Sequence, residues 1–200
     1  MFISKMFNSV IKIAFFSLIP FVWWYIEERD NESFSCWVGI KKIQGSKLRI
    51  IFTSLLTTVI FLIMEFLILY SAREIETAIS EFYGLGFIAL PAILIYAVFN
   101  TALPEEIVFR GFLLKRMNDQ MPFYLANFIQ ALAFGLIHGI MLFNYVSNIA
   151  VIAITIFMVA LAFVMGYINE KLAGGSIAPS WTIHALVNGF SGLCVAFMLF

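Results

Sequence analysis

The sequence predicts an all-α membrane protein, built as a polytopic bundle of about six transmembrane helices. Its 200 residues are 62% hydrophobic and only 12% charged, whereas soluble domains are roughly half apolar and a quarter charged. The mean hydropathy is +0.99. The apolar residues form six runs, most of them long enough to cross the roughly 30 Å hydrocarbon core as helices. These runs are 7–26, 50–70, 87–100, 123–139, 145–167 and 177–200.

Charge and cysteine content narrow the class of partner. The formal net charge is +0 at pH 7, so the basic excess of a nucleic-acid-binding protein is missing. Cys36 and Cys194 have no spacing typical of a metal site or a disulfide framework. We therefore expect an integral, multi-pass protein of the cell membrane that contacts membrane lipid and no nucleic acid.

The first two runs are predicted to be membrane anchors. The first ends in an aromatic cluster at 23–25, which is typical of a helix end at the membrane interface. Bulky and charged residues follow it in place of a signal-peptide cleavage site, so this anchor is expected to be retained. In the second run, Glu65 is expected to reach the interface beside Arg73; a position facing the bundle interior is the alternative.

The third run leads directly into Pro104, which precedes two glutamates. Proline has no amide hydrogen, and its ring clashes with the carbonyl four residues earlier, here that of Asn100. The sequence therefore predicts a broken helix at Pro104. A break at membrane depth is tolerated where it faces protein or a wet cavity, so Glu105 and Glu106 are expected to face such a place.

Three charges lie within six positions here: Glu105, Glu106 and Arg110. Each charge costs about 2.5–3.5 kcal/mol at the centre of a membrane helix, so the cluster indicates a functional site; the alternative is a segment at the interface. Residues four apart share a helix face, while adjacent residues diverge by about 100°. Glu106 and Arg110 are thus predicted partners, which leaves Glu105 free to act as a general base.

Both histidines of the chain, His138 and His184, lie inside apolar runs. His184 and Asn188 are four residues apart and share one face of the last run. Together they can donate hydrogen bonds to a developing oxyanion. The alternative for this pair is hydrogen bonding that holds neighbouring membrane helices together.

Three motifs follow one another on successive predicted helices: Glu105-Glu106-x-x-x-Arg110, Phe134-x-x-x-His138 and His184-x-x-x-Asn188. In this order, they resemble the type II CAAX prenyl endopeptidase and bacteriocin-processing family of intramembrane proteases. The resemblance covers roughly residues 87–200, which would form the catalytic membrane core. Residues 1–86 would form an N-terminal region of anchor spans and polar loops.

The resemblance implies hydrolysis of a peptide bond within or at the membrane. It implies that Glu105 activates water and that His138 helps to hold that water. His184 and Asn188 would form the oxyanion hole, and the second glutamate and the arginine of the first motif would be structural. Implied substrates are peptides or proteins, either lipidated or bacteriocin-like.

Members of this family are often described as metalloproteases. Glu105, His138 and His184 could form a three-ligand zinc site with an open position for water. However, the His-x-x-x-Asn spacing differs from the Glu-x-x-His and His-Glu-x-x-His spacings of familiar metal-binding helices. We therefore favour a glutamate mechanism with no metal or other cofactor, with a divalent zinc ion as the alternative.

Two other functions agree with parts of the sequence. A non-catalytic bacteriocin-immunity or membrane scaffold protein would have the same fold. A small transporter would also explain buried Glu and His, but the sequence has no pair of matching interrupted segments in two halves, which is typical of transporters.

Overall fold

The computed structural model describes residues 1–71 and 77–199, and every regular element within these ranges is helical. The predicted all-α bundle is thereby confirmed. The helices are α1 (Phe2–Glu27), α2 (Phe34–Trp37), α3 (Lys47–Ser71), α4 (Gly86–Asn118), α5 (Phe123–Leu142), α6 (Asn148–Leu172) and α7 (Ala178–Ala196). A single turn of 3₁₀-helix, Ser80–Phe82, precedes α4.

Within the described residues, five helices are long and apolar enough to cross a membrane: α1, α3, α4, α5 and α6. Together they make the protein an integral, multi-pass membrane protein. The sixth predicted span forms α7, which is a 19-residue helix but is not among those five. Ser180, His184, Asn188 and Ser191 lie along α7, and these polar side chains lower its hydropathy.

The outer surface of the bundle is apolar. Large hydrophobic side chains are highly exposed on several helices, including Ile3, Leu48, Phe87 and Ile149. Contiguous exposed apolar surface of this kind is rare on soluble monomers. We interpret it as the surface that faces lipid.

The helix is not broken at Pro104, contrary to the prediction. Helix α4 continues without interruption past Pro104. Instead of a break, the wider π-helical turns of Tyr96–Ala102 and Ile107–Leu114 flank the α-helical segment Leu103–Glu106. A π-helix bonds each amide to the carbonyl five residues earlier. A wider turn of this kind relieves the clash between a proline ring and the preceding turn, so the chain can stay helical through Pro104.

Helix α7 lies at the centre of the bundle and packs mainly against the π-helical segment Tyr96–Ala102 of α4 and against α3. Its start is fixed by the loop that follows α2. The amide of Ile177 donates to the carbonyl of Gly39 over 2.9 Å, and Ser176 Oγ donates to the carbonyl of Lys41 over 2.8 Å. These bonds define where the polar side chains of α7 meet those of α4.

Helices α5 and α6 pack closely along their length, and Gly135 lies at their contact. A Cβ added to Gly135 would lie 2.5 Å from Val159 Cγ2 and 2.8 Å from the carbonyl oxygen of Thr155. We therefore expect Gly135→Ala to lower the free energy of unfolding by about 1–3 kcal/mol. The midpoint of thermal unfolding in detergent measures this effect.

Gly189→Ala is the matched control. It places the same methyl group in a helix, but its nearest neighbour there is Ala97 Cβ, 3.8 Å away. Both variants gain the same intrinsic helix propensity, so the difference between their midpoints reports the helix contact. Equal midpoints would contradict the close packing of α5 on α6.

Candidate active site

The two adjacent glutamates of α4 have different surroundings. Glu106 is completely buried, whereas the side chain of Glu105 is 25% exposed. Both belong to the short α-helical segment between the two π-helical segments. Because adjacent residues of a helix diverge by about 100°, one carboxylate is enclosed by the bundle while the other reaches an accessible space.

The Glu106 carboxylate is held by three neighbouring side chains. Arg110 Nη1 donates to its Oε1 over 3.0 Å, and His184 Nδ1 lies 3.1 Å from the same oxygen. Ser180 Oγ donates to Oε2 over 2.5 Å and accepts from Asn169 Nδ2 over 2.6 Å. Both oxygens of Glu106 are therefore used, and the carboxylate joins α4 to α7 and, through Asn169, to α6.

The Arg110 guanidinium is also completely buried. Its central carbon lies 4.3 Å from the centre of the Phe134 ring, a distance typical of a cation–π contact. Within the described chain, its Nε and Nη2 atoms have no hydrogen-bond partner. Glu106 and the Phe134 ring thus provide the main compensation for this buried charge.

Glu105 faces both histidines. Its Oε2 lies 3.8 Å from His184 Nε2 and 4.0 Å from His138 Nε2, and it has no hydrogen-bond partner among the described residues. The other ring nitrogen of His138 lies 2.8 Å from the Phe134 carbonyl. Because a carbonyl only accepts hydrogen bonds, that Nδ1 carries the proton, and neutral His138 presents a lone pair at Nε2.

The same reasoning applies to His184, whose Nδ1 donates to the Glu106 carboxylate. In the neutral ring, its Nε2 is also an acceptor. Three acceptor atoms, one from Glu105 and one from each histidine, therefore converge. Two acceptors that share one water molecule lie about 4–4.5 Å apart. The 4.0 Å between Glu105 and His138 matches this separation, and the 3.8 Å between Glu105 and His184 is slightly shorter.

A zinc ion is the alternative to water between Glu105, His138 and His184. Two histidines and a glutamate form a common catalytic zinc set, and the Glu106 carboxylate on His184 is the kind of support that metal-binding histidines receive. Ligands of tetrahedral zinc lie about 3.4 Å apart, which is closer than the 3.8 and 4.0 Å found here. Within the described ranges, no three His, Cys, Asp or Glu side chains are arranged to hold a metal ion. The present arrangement does not fit zinc.

Asn188 lies beside these groups on α7. Its Nδ2 donates to Thr101 Oγ1 over 2.7 Å, and the Thr101 hydroxyl donates to the Tyr96 carbonyl in the first π-helical segment. Asn188 and His138 line the same cavity of about 550 Å³. The second N–H of the amide has no acceptor among the described residues, so it can donate to a group that enters this cavity.

The comparison with protein families covers this whole region. Residues 86–190 match the model of the type II CAAX prenyl endopeptidase Rce1-like family, which is just over half of the chain. The chain belongs to the Rce1-like family. No curated protein and no solved structure matches it.

Membership of the Rce1-like family makes this protein a CAAX-type intramembrane protease with a peptide or protein substrate and a membrane setting. The matched range contains the four predicted catalytic residues, Glu105, His138, His184 and Asn188. The family does not assign a role to any of them, so their roles remain predictions.

The structure adds polar residues to this Rce1-like site that the sequence analysis missed. Ser180 and Asn169 support Glu106, and Thr101 positions Asn188. For Ser180 the sequence held a usable signal, because Ser180 and His184 are four residues apart and so share one helix face. Thr101 likewise lies four residues before Glu105, whereas no comparable spacing links Asn169 to the motifs.

Glu65 takes the alternative position of the sequence analysis and faces the interior of the bundle. Its Oε1 accepts a hydrogen bond of 2.5 Å from Ser191 Oγ on α7, and its side chain lines the same cavity as His138 and Asn188. A donor and a cavity inside the bundle thus take the place of the interface. Arg73, its predicted neighbour, lies outside the described residues.

Proposed function

We propose that this protein is an intramembrane endopeptidase in which Glu105 is the general base that activates water. The observation that supports this proposal is the convergence of Glu105 Oε2, His138 Nε2 and His184 Nε2, with a separation of 4.0 Å between Glu105 and His138 that suits a bridging water. Such a water can donate one hydrogen bond to the carboxylate and one to a histidine. Both bonds increase the nucleophilicity of its oxygen.

In the first step, the water oxygen attacks the carbonyl carbon of the scissile bond while Glu105 takes the proton. Asn188 then donates its second Nδ2–H to the oxyanion. For this role His184 must already carry a proton on both nitrogens when substrate binds, with Nδ1–H bonded to Glu106 and Nε2–H donating to the oxyanion, so that Glu105 and His138 alone hold the attacking water. Oxyanion donors of this kind contribute about 10²–10³ each in rate.

In the second step, the tetrahedral intermediate collapses and the C–N bond breaks. The leaving amine takes its proton from Glu105, which returns to the carboxylate form. Glu106 and Arg110 have a structural role, since both are buried and hold each other and His184 in place. No step requires a metal ion or another cofactor.

The proposed substrates are lipidated or bacteriocin-like peptides and proteins, and the proposed location is the cell membrane. To test the function, the purified protein in detergent is incubated with a panel of prenylated and unmodified peptides, with and without a strong chelator. Products are identified by mass spectrometry, and Glu105→Gln protein serves as the control for contaminating proteases.

We expect wild-type protein to cut at least one peptide at the same rate with and without chelator. Cleavage that is lost on chelation and restored by zinc would make Glu105, His138 and His184 metal ligands and overturn the metal-free mechanism. A folded wild-type protein that cuts no peptide in the panel would favour the non-catalytic immunity or scaffold function.

A further inference from the structure

The cavity of about 550 Å³ beside the proposed catalytic residues extends along α7, and most of its wall is apolar. Its described lining includes one carboxylate, that of Glu65, and no Lys or Arg. The proposed reaction does not use Glu65. Placing a carboxylate among apolar membrane helices costs free energy. A group that binds Glu65 on this wall would offset that cost.

Glu65 is held in a fixed orientation but has no ion-pair partner among the described residues. Ser191 Oγ donates to its Oε1 over 2.5 Å, which fixes the carboxylate against α7. Within the described part of the chain, no Lys or Arg forms an ion pair with it and its Oε2 accepts no hydrogen bond. One oxygen is therefore available to a group that enters the cavity.

The charges around the cavity favour a cation in that position. Arg110 offsets the charge of Glu106 at 3.0 Å. Glu105, by contrast, forms no ion pair with a described Lys or Arg and lies 3.8 and 4.0 Å from the two histidines, and Glu65 has a serine. Two carboxylates thus give this space a negative potential, which attracts positive and repels negative groups.

We propose that Glu65 determines substrate specificity by binding the cationic side chain of a Lys or Arg in the substrate peptide. Ser191 follows Asn188 by three residues on α7, so it lies about 4.5 Å further along the helix axis. An extended peptide advances about 3.3–3.6 Å per residue. The bound Lys or Arg is therefore placed within two residues of the cleaved bond.

This inference rests on the proposed protease function, because it assigns a subsite of the same cavity. Its test uses N-acetylated peptides, so that no terminal amine is present. Four positions are varied, namely the two residues before the cleaved bond and the two residues after it. Each of them carries Lys, norleucine or Glu in turn. Norleucine has an unbranched aliphatic chain and no amine, so the ratio of kcat/KM for the Lys and norleucine peptides isolates the contribution of the charge.

At one of these positions, we expect wild-type protein to prefer Lys over norleucine by about tenfold or more, as for a desolvated charge pair. Glu65→Gln should reduce this ratio to near one, and Glu65→Lys should make the Glu peptide the better substrate. Glu27→Gln removes the same charge from an exposed residue at the end of α1 and should keep the wild-type ratio. An unchanged ratio in Glu65→Gln would overturn the proposal.

Binding measurements separate this proposal from the protease function. The same peptides are titrated into Glu105→Gln protein and into protein that also carries Glu65→Gln, with fluorescence anisotropy as the readout. We expect tighter binding of the Lys peptide only where Glu65 is present, even if the wild-type protein cuts nothing. Equal affinity for the Lys and norleucine peptides in both proteins would disprove the role of Glu65 while leaving the protease function unaffected.

Discussion

Glu105→Gln is expected to lower kcat by about 10²–10⁴-fold, the contribution that general acid–base catalysis usually makes. Glutamine keeps the size and shape of the side chain, but its amide cannot take a proton from water at the point where the two histidines converge on Oε2. KM should change much less, because the substitution leaves the cavity wall intact. Steady-state kinetics on a peptide that wild-type protein cleaves measures both constants.

A structural role for Glu105 would give a different result. Its side chain is 25% exposed, and its Oε2 has no partner among the described residues, so we expect Glu105→Gln to unfold at the wild-type temperature. Glu105→Asp keeps a base but withdraws it by one methylene group. Its kcat should therefore lie between the values for wild-type protein and for Glu105→Gln. A Glu105→Gln protein with kcat within tenfold of the wild-type value would contradict the general-base role.

The local geometry of the site could be read from spacing within one helix. A separation of four residues predicted that Glu106 and Arg110 lie together, and the structure places them 3.0 Å apart. Adjacency predicted that Glu105 turns away, and only Glu106 is completely buried. Both results depend on the helical repeat alone, which is why no knowledge of the tertiary fold was needed.

Contacts between helices could not be read in this way. Ser191 lies 126 residues after the Glu65 to which it donates, and no periodicity within one helix links two such positions. Glu65 was therefore placed at the interface, where a single membrane helix would put it. The bundle instead offers it a donor and a cavity, and only the packing of α7 against α3 makes this visible.

The sequence did not reveal that the helix could continue through Pro104 by forming a π-helical segment. Sterics at an ideal α-helix predict a break or kink. In the structure, a π-helical segment, Tyr96–Ala102, lies directly before the segment that contains Pro104, and the helix continues. A π-helical segment needs no particular residue type, so it leaves no clear mark in the sequence, although such segments often occur at functional sites.

Glu106→Ala is expected to lower the free energy of unfolding by about 3–5 kcal/mol, because it leaves a buried charge without its partner. Arg110 is completely buried, and no described carboxylate other than Glu106 forms an ion pair with it. Thermal unfolding in detergent measures the effect. Asp30→Ala is the control, since both side chains of its pair with Arg29 are exposed, by 90% at the aspartate and 48% at the arginine, and such pairs contribute about 0–1 kcal/mol.

The double variant Glu106→Ala/Arg110→Met tests the cause of that loss. Removing both charges of a buried pair usually costs much less than removing one, so the double variant should unfold at a higher temperature than Glu106→Ala. A double variant no more stable than Glu106→Ala would show that lost packing, and not an uncompensated charge, causes the instability. We also expect the double variant to stay inactive, because His184 Nδ1 has lost the acceptor that lies 3.1 Å away. If stability is recovered and activity is not, the buried Glu106–Arg110 pair serves to orient His184 and does not stabilise the fold.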